Sequence, residues 1–270
     1  MADRTIRRLC GGERTASMKS NSSSYLQTAG RALNILKLFE TNAHLSLSEI
    51  AELTGLPNAI VYRLLYTLTS EGFLHQNAVN KMYCVGDETI SLGLSGLRQR
   101  PIFSAAHGPM WENYRQNGQM LMLTVCINWR SMVIDHASSL SDEEDMLYLG
   151  YSYPLERGAS NRTLLAFMDK EAQERYLSSL LLEPPQLDAL RAELDRIREQ
   201  GYDYTEQMFT KGLWALGMPV FDRDGSLAGC ISMSDYIDSA SQENFDRQLF
   251  MLSNLVAKVN RTMLKSRPMR

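Results

Sequence analysis

Long apolar runs, paired cysteines and catalytic signatures are all missing from this 270-residue chain. No stretch approaches the roughly 20 consecutive apolar residues that span a bilayer, so no membrane segment is expected. The arginines near the start (Arg4, Arg7, Arg8, Arg14) have no apolar core behind them, which argues against a signal peptide. The four cysteines (Cys10, Cys84, Cys126, Cys230) lie far apart with no C-x-x-C pair, as in a cytoplasmic protein whose thiols stay reduced. The four histidines (His44, His75, His107, His136) show no metal-ligand spacing, and no phosphate loop, dinucleotide fingerprint or G-x-S-x-G elbow is present. Neither a cofactor nor an enzymatic activity is expected. The run Asp142-Glu143-Glu144-Asp145 reads as a solvated loop rather than a cation site.

What is there is ordinary globular material, 44% hydrophobic and 22% charged. The net charge of −3 hides an asymmetry: residues 1–100 carry 11 Lys/Arg against 8 Asp/Glu, residues 101–270 carry 17 against 23. A mildly basic front half next to an acidic remainder suits a protein that meets an anion with one end.

Residues 1–24 lack periodicity and read as a disordered arm. Thr28 is a plausible cap for a helix whose Ala32, Ile35, Leu36 and Phe39 form one apolar face. Ser46 and Glu49 have capping-box spacing at the head of a second helix, which Gly55 ends. Pro57 is placed to open a third, with Val61, Leu64, Leu65 and Leu68 inward and Gly72 as its stop. Strand-like pieces at Phe73–His75 and Met82–Val85 follow, and then a linker helix over residues 87–100. Beyond Pro101 the pattern becomes mixed. Helices are expected at Ile102–Asn117, Ser160–Phe167, Pro185–Gln200 and Gln242–Lys265. Strands are expected at Leu121–Trp129, Met132–Ala137 and Met146–Tyr151, with a hairpin of Pro219–Asp222 and Leu227–Ser234. The chain thus reads as α+β: a winged helix-turn-helix over 25–86, the linker, an antiparallel-sheet domain over 101–265, and a tail at 266–270.

Helix, Gly-containing turn, helix and hairpin is the layout of a winged helix-turn-helix. Burying Val61, Leu64, Leu65 and Leu68 leaves Asn58, Ala59, Tyr62, Arg63, Tyr66 and Thr67 on the opposite face. Such a face enters a major groove, where Asn58 suits adenine and Arg63 suits guanine or a phosphate. Tyr62 and Thr67 suit phosphates, and Lys81 at the hairpin tip suits the DNA backbone or the minor groove. The same module could instead make protein contacts.

Residues 25–93 resemble the DNA-binding half of the isocitrate-lyase-regulator (IclR) family. The resemblance rests on Arg31-Ala32-Leu33, Leu47-Ser48-Glu49-Ile50-Ala51, Gly55-Leu56-Pro57, Val61-Tyr62-Arg63-Leu64-Leu65, Glu71-Gly72 and Leu92-Gly93. Ala59 and Ile60 depart from the small hydroxyl residues common there. The likeness continues through Pro154-Leu155, Leu164-Leu165-Ala166-Phe167, Gly212-Leu213, Pro219-Val220-Phe221-Asp222 and Ile231-Ser232-Met233-Ser234. It implies a GAF-like curved antiparallel sheet, homodimers or homotetramers, a pseudo-palindromic operator in double-stranded DNA, and a small organic acid as effector. Carried over by position, the effector pocket is lined by Tyr153, Ala159, Ser160, Thr205, Leu213, Ala215, Ser232 and Ser234. Asn161 stands where the family usually has glycine, which implies a more crowded helix start.

Part of this pocket stands without the resemblance. A helix starting at Ala159-Ser160 offers free N–H groups and a positive dipole end to a carboxylate. Ser232 and Ser234 alternate with Ile231 and Met233, so both hydroxyls share one strand face, turned either to such a cradle or to solvent. Arg157 and Arg162 flank it and read as surface arginines.

Overall fold

The computed structural model describes residues 25–138, 149–208 and 211–265. The expected arm and tail, Cys10, the acidic run and the first part of the Met146–Tyr151 strand lie outside these residues. The chain divides between Leu94 and Ser95 into two compact units.

The first unit is built on helices α1 (Gln27–Leu38), α2 (Leu47–Thr54) and α3 (Asn58–Ser70), then strands β1 (Leu74–Gln76) and β2 (Tyr83–Val85). α1 begins one residue after Leu26, which serves as N-cap without a side-chain bond, so Thr28 lies inside the first turn and caps nothing. α2 has the full reciprocal cap: Glu49 N–H donates to Ser46 Oγ at 3.3 Å, and Ser46 N–H donates to Glu49 Oε2 at 2.8 Å. Those two bonds satisfy donors that a helix start otherwise leaves unpaired. Gly55 ends α2 in the left-handed region at φ 67°, a conformation that a side chain disfavours. Pro57 is the N-cap of α3 rather than its first residue. Ile35, Ile50, Val61 and Leu65 are fully buried at the centre of this unit, joined by Leu74 and Tyr83 from the hairpin. Leu38 packs against this core, whereas Leu33 is exposed.

α4 (Asp87–Arg98) carries the division between the units. The second unit continues with α5 (Pro101–Asn117), β3 (Leu121–Ile127), β4 (Arg130–Ala137), β5 (Ser152–Tyr153), α6 (Ala159–Phe167), α7 (Lys170–Ser179) and α8 (Pro184–Gln200). It closes with β6 (Asp203–Glu206), β7 (Leu213–Phe221), β8 (Leu227–Tyr236) and α9 (Gln242–Lys265). Among the described residues, six strands form one antiparallel sheet in the order β5-β4-β3-β8-β7-β6. The β3–β4 connection is a two-residue turn, Asn128-Trp129, with both residues at positive φ, the geometry whose twist matches a hairpin.

Each strand sends alternate side chains to opposite faces, and the two faces have different covers. Leu121, Leu123, Leu216, Ile231 and Met233 meet Ala106 and Met110 of α5 and Leu252, Val256 and Val259 of α9 in the larger core. The other face bears Cys230, against which Leu164, Leu165, Leu177, Leu194 and Ile197 of α6, α7 and α8 pack.

Three further expectations need correcting. The β7–β8 hairpin is longer than its sequence pattern suggests, beginning at Leu213 and ending at Tyr236. Among the described residues, 149 and 150 form a turn, and the edge strand is Ser152–Tyr153 instead. Arg162 is not a surface arginine. It is 4% exposed and faces two carboxylates, Glu193 Oε2 at 2.7 Å and Asp203 Oδ2 at 3.0 Å.

Candidate functional site

The cavity of the second unit lies where the start of α6 meets the inner face of the sheet. Its volume is about 90 Å³. Two rows of paired residues make its floor. In one, Met122 on β3 stands opposite Ser232 on β8, which stands opposite Gly217 on β7. In the other, Ser234 on β8 pairs with Ala215 on β7, and Ala215 pairs with Thr205 on β6. Ala159, Ser160 and Asn161 close the cavity from α6, and Tyr153, Val133, Met120, Met208 and Leu213 complete the wall.

All eight residues selected from the sequence, Tyr153, Ala159, Ser160, Thr205, Leu213, Ala215, Ser232 and Ser234, border this one cavity. The thioethers of Met120, Met122 and Met208 were not among them. A lone methionine on a strand reads as core filler in a sequence, and only the sheet register gathers the three. Trp214 and Met233 also border the cavity, but the pleat turns their side chains into the opposite core.

The polar end of the cavity has a definite construction. Gly158 precedes α6 at φ 88° and ψ 148°, and no side chain caps the helix. The N–H of Gly158 points at Met208 Sδ, 3.2 Å away. Among the described residues, the N–H groups of Ala159 and Ser160 meet no acceptor, as the first donors of a helix do unless something is bound. Ser232 is 3% exposed, and among the described residues its Oγ has no hydrogen-bond partner. Burial excludes the solvent-facing alternative for this residue.

Asn161 itself lines the cavity at the helix start, and its amide is held by neighbours. Its Oδ1 accepts from Ser131 Oγ at 2.5 Å and from Ser160 Oγ at 3.3 Å, while Nδ2 donates to the Arg157 carbonyl at 2.6 Å. The amide thus ties α6 to β4 and to its own N-terminal loop. Neither flanking arginine borders the cavity: Arg157 reaches the Met208 carbonyl at 3.4 Å, and Arg162 is committed to Asp203 and Glu193. Asp203 Oδ2 and Arg162 Nε are near but poorly aligned, so the directed bond runs from Nη2 to Oδ1 at 3.3 Å. Burial pushes the Asp203 carboxyl up to about 6, with the Arg162 charge opposing the shift.

In the first unit, Asn58, Ala59, Tyr62, Arg63, Tyr66 and Thr67 are all exposed on one side of α3, and Val61, Leu64, Leu65 and Leu68 are buried on the other. Thr67 Oγ1 donates to the Arg63 carbonyl at 3.0 Å, so its proton is already used within the helix. Lys81 is exposed in the hairpin turn with φ 59°, a left-handed conformation supported by Gln76 Nε2 donating to its carbonyl at 3.2 Å. Asn77 Oδ1 accepts from the N–H groups of Val79 and Asn80, fixing the tip.

A three-helix unit with a hairpin wing and an open recognition face, followed by a sheet domain with a cavity at a helix start, defines a DNA-binding regulator with a sensor domain. Residues 28–78 match the IclR helix-turn-helix domain, and residues 95–261 match the bacterial transcriptional regulator IclR C-terminal domain. The chain belongs to the IclR family of bacterial transcriptional regulators. Among its relatives is the transcriptional repressor IclR of Escherichia coli K12, 22% identical over 244 residues, covering 86% of this chain and 88% of that one. The regulator XynR of the same organism is 27% identical, covering 83% of this chain and 93% of its own length. The crystal structure of the IclR regulator from Alicyclobacillus acidocaldarius shares the fold, with a TM-score of 0.75 at 22% identity over 88% of this chain and 99% of that one. So does an IclR homolog from Microbacterium hydrocarbonoxydans complexed with 4-hydroxybenzoate, with a TM-score of 0.75 at 17% identity over 88% of this chain and 100% of that one.

Proposed function

We propose that this regulator reads double-stranded DNA through α3 and its wing, and that a small organic acid in the sensor cavity controls it. Asn58, Ala59 and Arg63 lie in the major groove; Tyr62, Thr67 and Lys81 meet the backbone. Homodimers or homotetramers place two such units on a pseudo-palindromic operator in the cytoplasm, without catalytic turnover. The observation that carries the effector reading is Ser232: a buried hydroxyl with no partner among the described residues, on the cavity floor beside the uncapped start of α6. Of the buried side-chain atoms without a partner among the described residues, Ser232 Oγ is the one that borders the cavity, and a carboxylate supplies the missing acceptor for the hydroxyl and both N–H groups. The complex of a same-fold protein with 4-hydroxybenzoate supports a small acid as ligand.

The experiment pairs two variants against DNA selected from random duplexes. Ser232→Val with Ser234→Val is expected to abolish the response to carboxylates while DNA binding persists. An unaltered calorimetric titration in that double variant would remove the pocket. Arg63→Ala is expected to weaken binding by about 1–3 kcal/mol and relax selectivity if it reads a base. A uniform loss across sequences with a smaller salt slope would assign it to a phosphate.

A further inference from the structure

Met208 follows β6 and is half-buried at the margin of the cavity, its carbonyl accepting from Arg157 Nη2 at 3.4 Å. Its sulfur faces two donors. The N–H of Gly158 lies 3.2 Å from Sδ, and Arg162 Nη1 lies 3.9 Å from it. Both are strong donors turned toward a weak acceptor. Gly158 stands at the positive end of a helix that no side chain caps. Arg162 is a buried guanidinium whose Nη1 also meets Glu193 Oε2 at 2.7 Å. A buried charge is ordinarily matched by oxygen acceptors, so a thioether leaves both donors poorly satisfied. Among the described residues, Met208 is the methionine with two such donors, whereas Met218 Sδ has only the neutral hydroxyl of Ser253 at 3.6 Å. Met120 and Met122 border the same cavity, half-buried like Met208, and no donor reaches their sulfurs among the described residues.

We propose that Met208 is a site of reversible oxidation, at which a peroxide converts the thioether to a sulfoxide whose oxygen is held by Gly158 N–H and Arg162. The sulfur lone pair attacks one oxygen of hydrogen peroxide. An S–O bond forms as the O–O bond breaks, and the other oxygen leaves with both protons as water. Sulfur is oxidised and the peroxide reduced, with no further reactant. The donors that face the sulfur stabilise the negative charge developing on the departing oxygen, and then bond the sulfoxide oxygen, a far better acceptor than a thioether. A methionine sulfoxide reductase reverses the step, two thiols becoming a disulfide while the oxygen leaves as water. The cysteines of the second unit are poorer targets, since burial pushes the Cys126 and Cys230 thiols up, away from the thiolate that attacks peroxides. The sulfoxide oxygen lies beside the N–H groups of Ala159 and Ser160, so its partial negative charge opposes an anion there and lowers carboxylate affinity. That consequence rests on the effector reading above; the oxidation site does not.

The test is peptide mapping by mass spectrometry on the full chain, sampled over time in hydrogen peroxide. Met208 is expected to gain oxygen at least about tenfold faster than Met120 and Met122, the margin that one charge-assisted hydrogen bond supplies. The reductase with dithiothreitol should restore the parent mass. Arg162→Gln with Asp203→Asn removes the guanidinium without stranding its buried carboxylate, and should slow Met208 to the rate of Met122. A second measurement needs no variant: in urea Met120 and Met122 should react faster through exposure, whereas Met208 should not. Calorimetry with acetate and with 4-hydroxybenzoate, the acid of the same-fold complex, reads the consequence. Peroxide and Met208→Gln, which sets an amide oxygen where the sulfoxide oxygen stands, should each weaken binding several-fold, and peroxide should change nothing further in Met208→Leu. Native Met208 reacting no faster than Met122, or a sulfoxide that the reductase leaves in place, overturns the reversible oxidation site. Rapid oxidation with carboxylate binding unaltered overturns the consequence for anions. Neither acid binding the unoxidised chain overturns the effector reading instead, and the mapping still decides the oxidation site.

Discussion

Gly217 on β7 lies so close beneath Ala159 that a β-carbon at 217 would stand 3.0 Å from both the carbonyl carbon and the oxygen of Ala159. The contact is backbone against backbone, with Ser160 Cα at 3.1 Å, so no flexible side chain can yield. Thr163 Oγ1 donates to the Gly217 carbonyl at 3.3 Å and fastens the same approach one turn further along α6. Gly217 also pairs with Ser232 across the β7–β8 ladder. The one residue without a side chain therefore sets both the height of the helix start and its position over the buried hydroxyl.

Gly217→Ala is accordingly expected to lift the head of α6 from the sheet. Overpacking at such a contact costs about 1–3 kcal/mol. Trp111, Trp129 and Trp214 all belong to the second unit, so tryptophan fluorescence during urea unfolding reports this unit alone. Carboxylate affinity should fall in the same variant. A variant as stable as the parent, with intact ligand binding, would show that α6 is free to shift.

The ion pair beside the cavity gives a pH dependence. Asp203 is wholly buried, and burial raises its carboxyl from 3.8 to about 6. Because the folded value lies above the unfolded one, this group's contribution to stability is fully present below 3.8 and is lost as pH rises through about 6. Asp203→Asn removes the titration, and Arg162 keeps Glu193 at 2.7 Å as a counter-charge. The stability of the parent chain relative to this variant should therefore decrease between about pH 4 and pH 7. Urea midpoints that run parallel across that range would refute the raised value.

How much of this was legible in the sequence differs between the units. In the first, local signals decide the structure. The Ser46–Glu49 cap, Gly55 and the spacing of Val61, Leu64, Leu65 and Leu68 act within a few residues, so helix ends and faces follow from pattern. In the second, what matters is non-local. β6 has four residues and no distinctive alternation, and α7 has few apolar residues, so neither stands out until β7 and α6 pack on them. The parity of Ser232 and Ser234 was readable along one strand. The gathering of Met120, Met122 and Met208 was not, because it depends on which strands are neighbours. Arg162 misled for the same reason, since its carboxylate Asp203 lies 41 residues away.

Asn161 offers a test of the helix anchor. Its amide serves Ser131 Oγ, which is fully buried, and the Arg157 carbonyl. Asn161→Ala leaves both without that partner, at a cost of about 1–3 kcal/mol. Asn161→Asp keeps the acceptor for Ser131 but sets a carboxylate against the Arg157 carbonyl, so it should be at least as harmful. Fluorescence-monitored unfolding orders the three proteins. An alanine variant within experimental error of the parent would mean that the amide only fills space.

The two faces of α3 should separate stability from DNA binding within a single helix. Leu65 is fully buried in the first unit, and Leu65→Ala is expected to cost about 2–5 kcal/mol through lost packing and the cavity it leaves. Tyr62 and Tyr66 are 57% and 67% exposed, so Tyr62→Ala and Tyr66→Ala should shift stability by no more than about 0.5 kcal/mol. Hydrogen exchange of the α3 amides measures the first quantity, and fluorescence anisotropy with a selected duplex measures the second. Under the proposed DNA-reading role of α3, Tyr62→Ala should weaken the duplex complex while leaving exchange unchanged, because the exposed ring adds nothing to the core. A tyrosine variant that loses protection, or one that binds as the parent does, would place DNA recognition on a different surface.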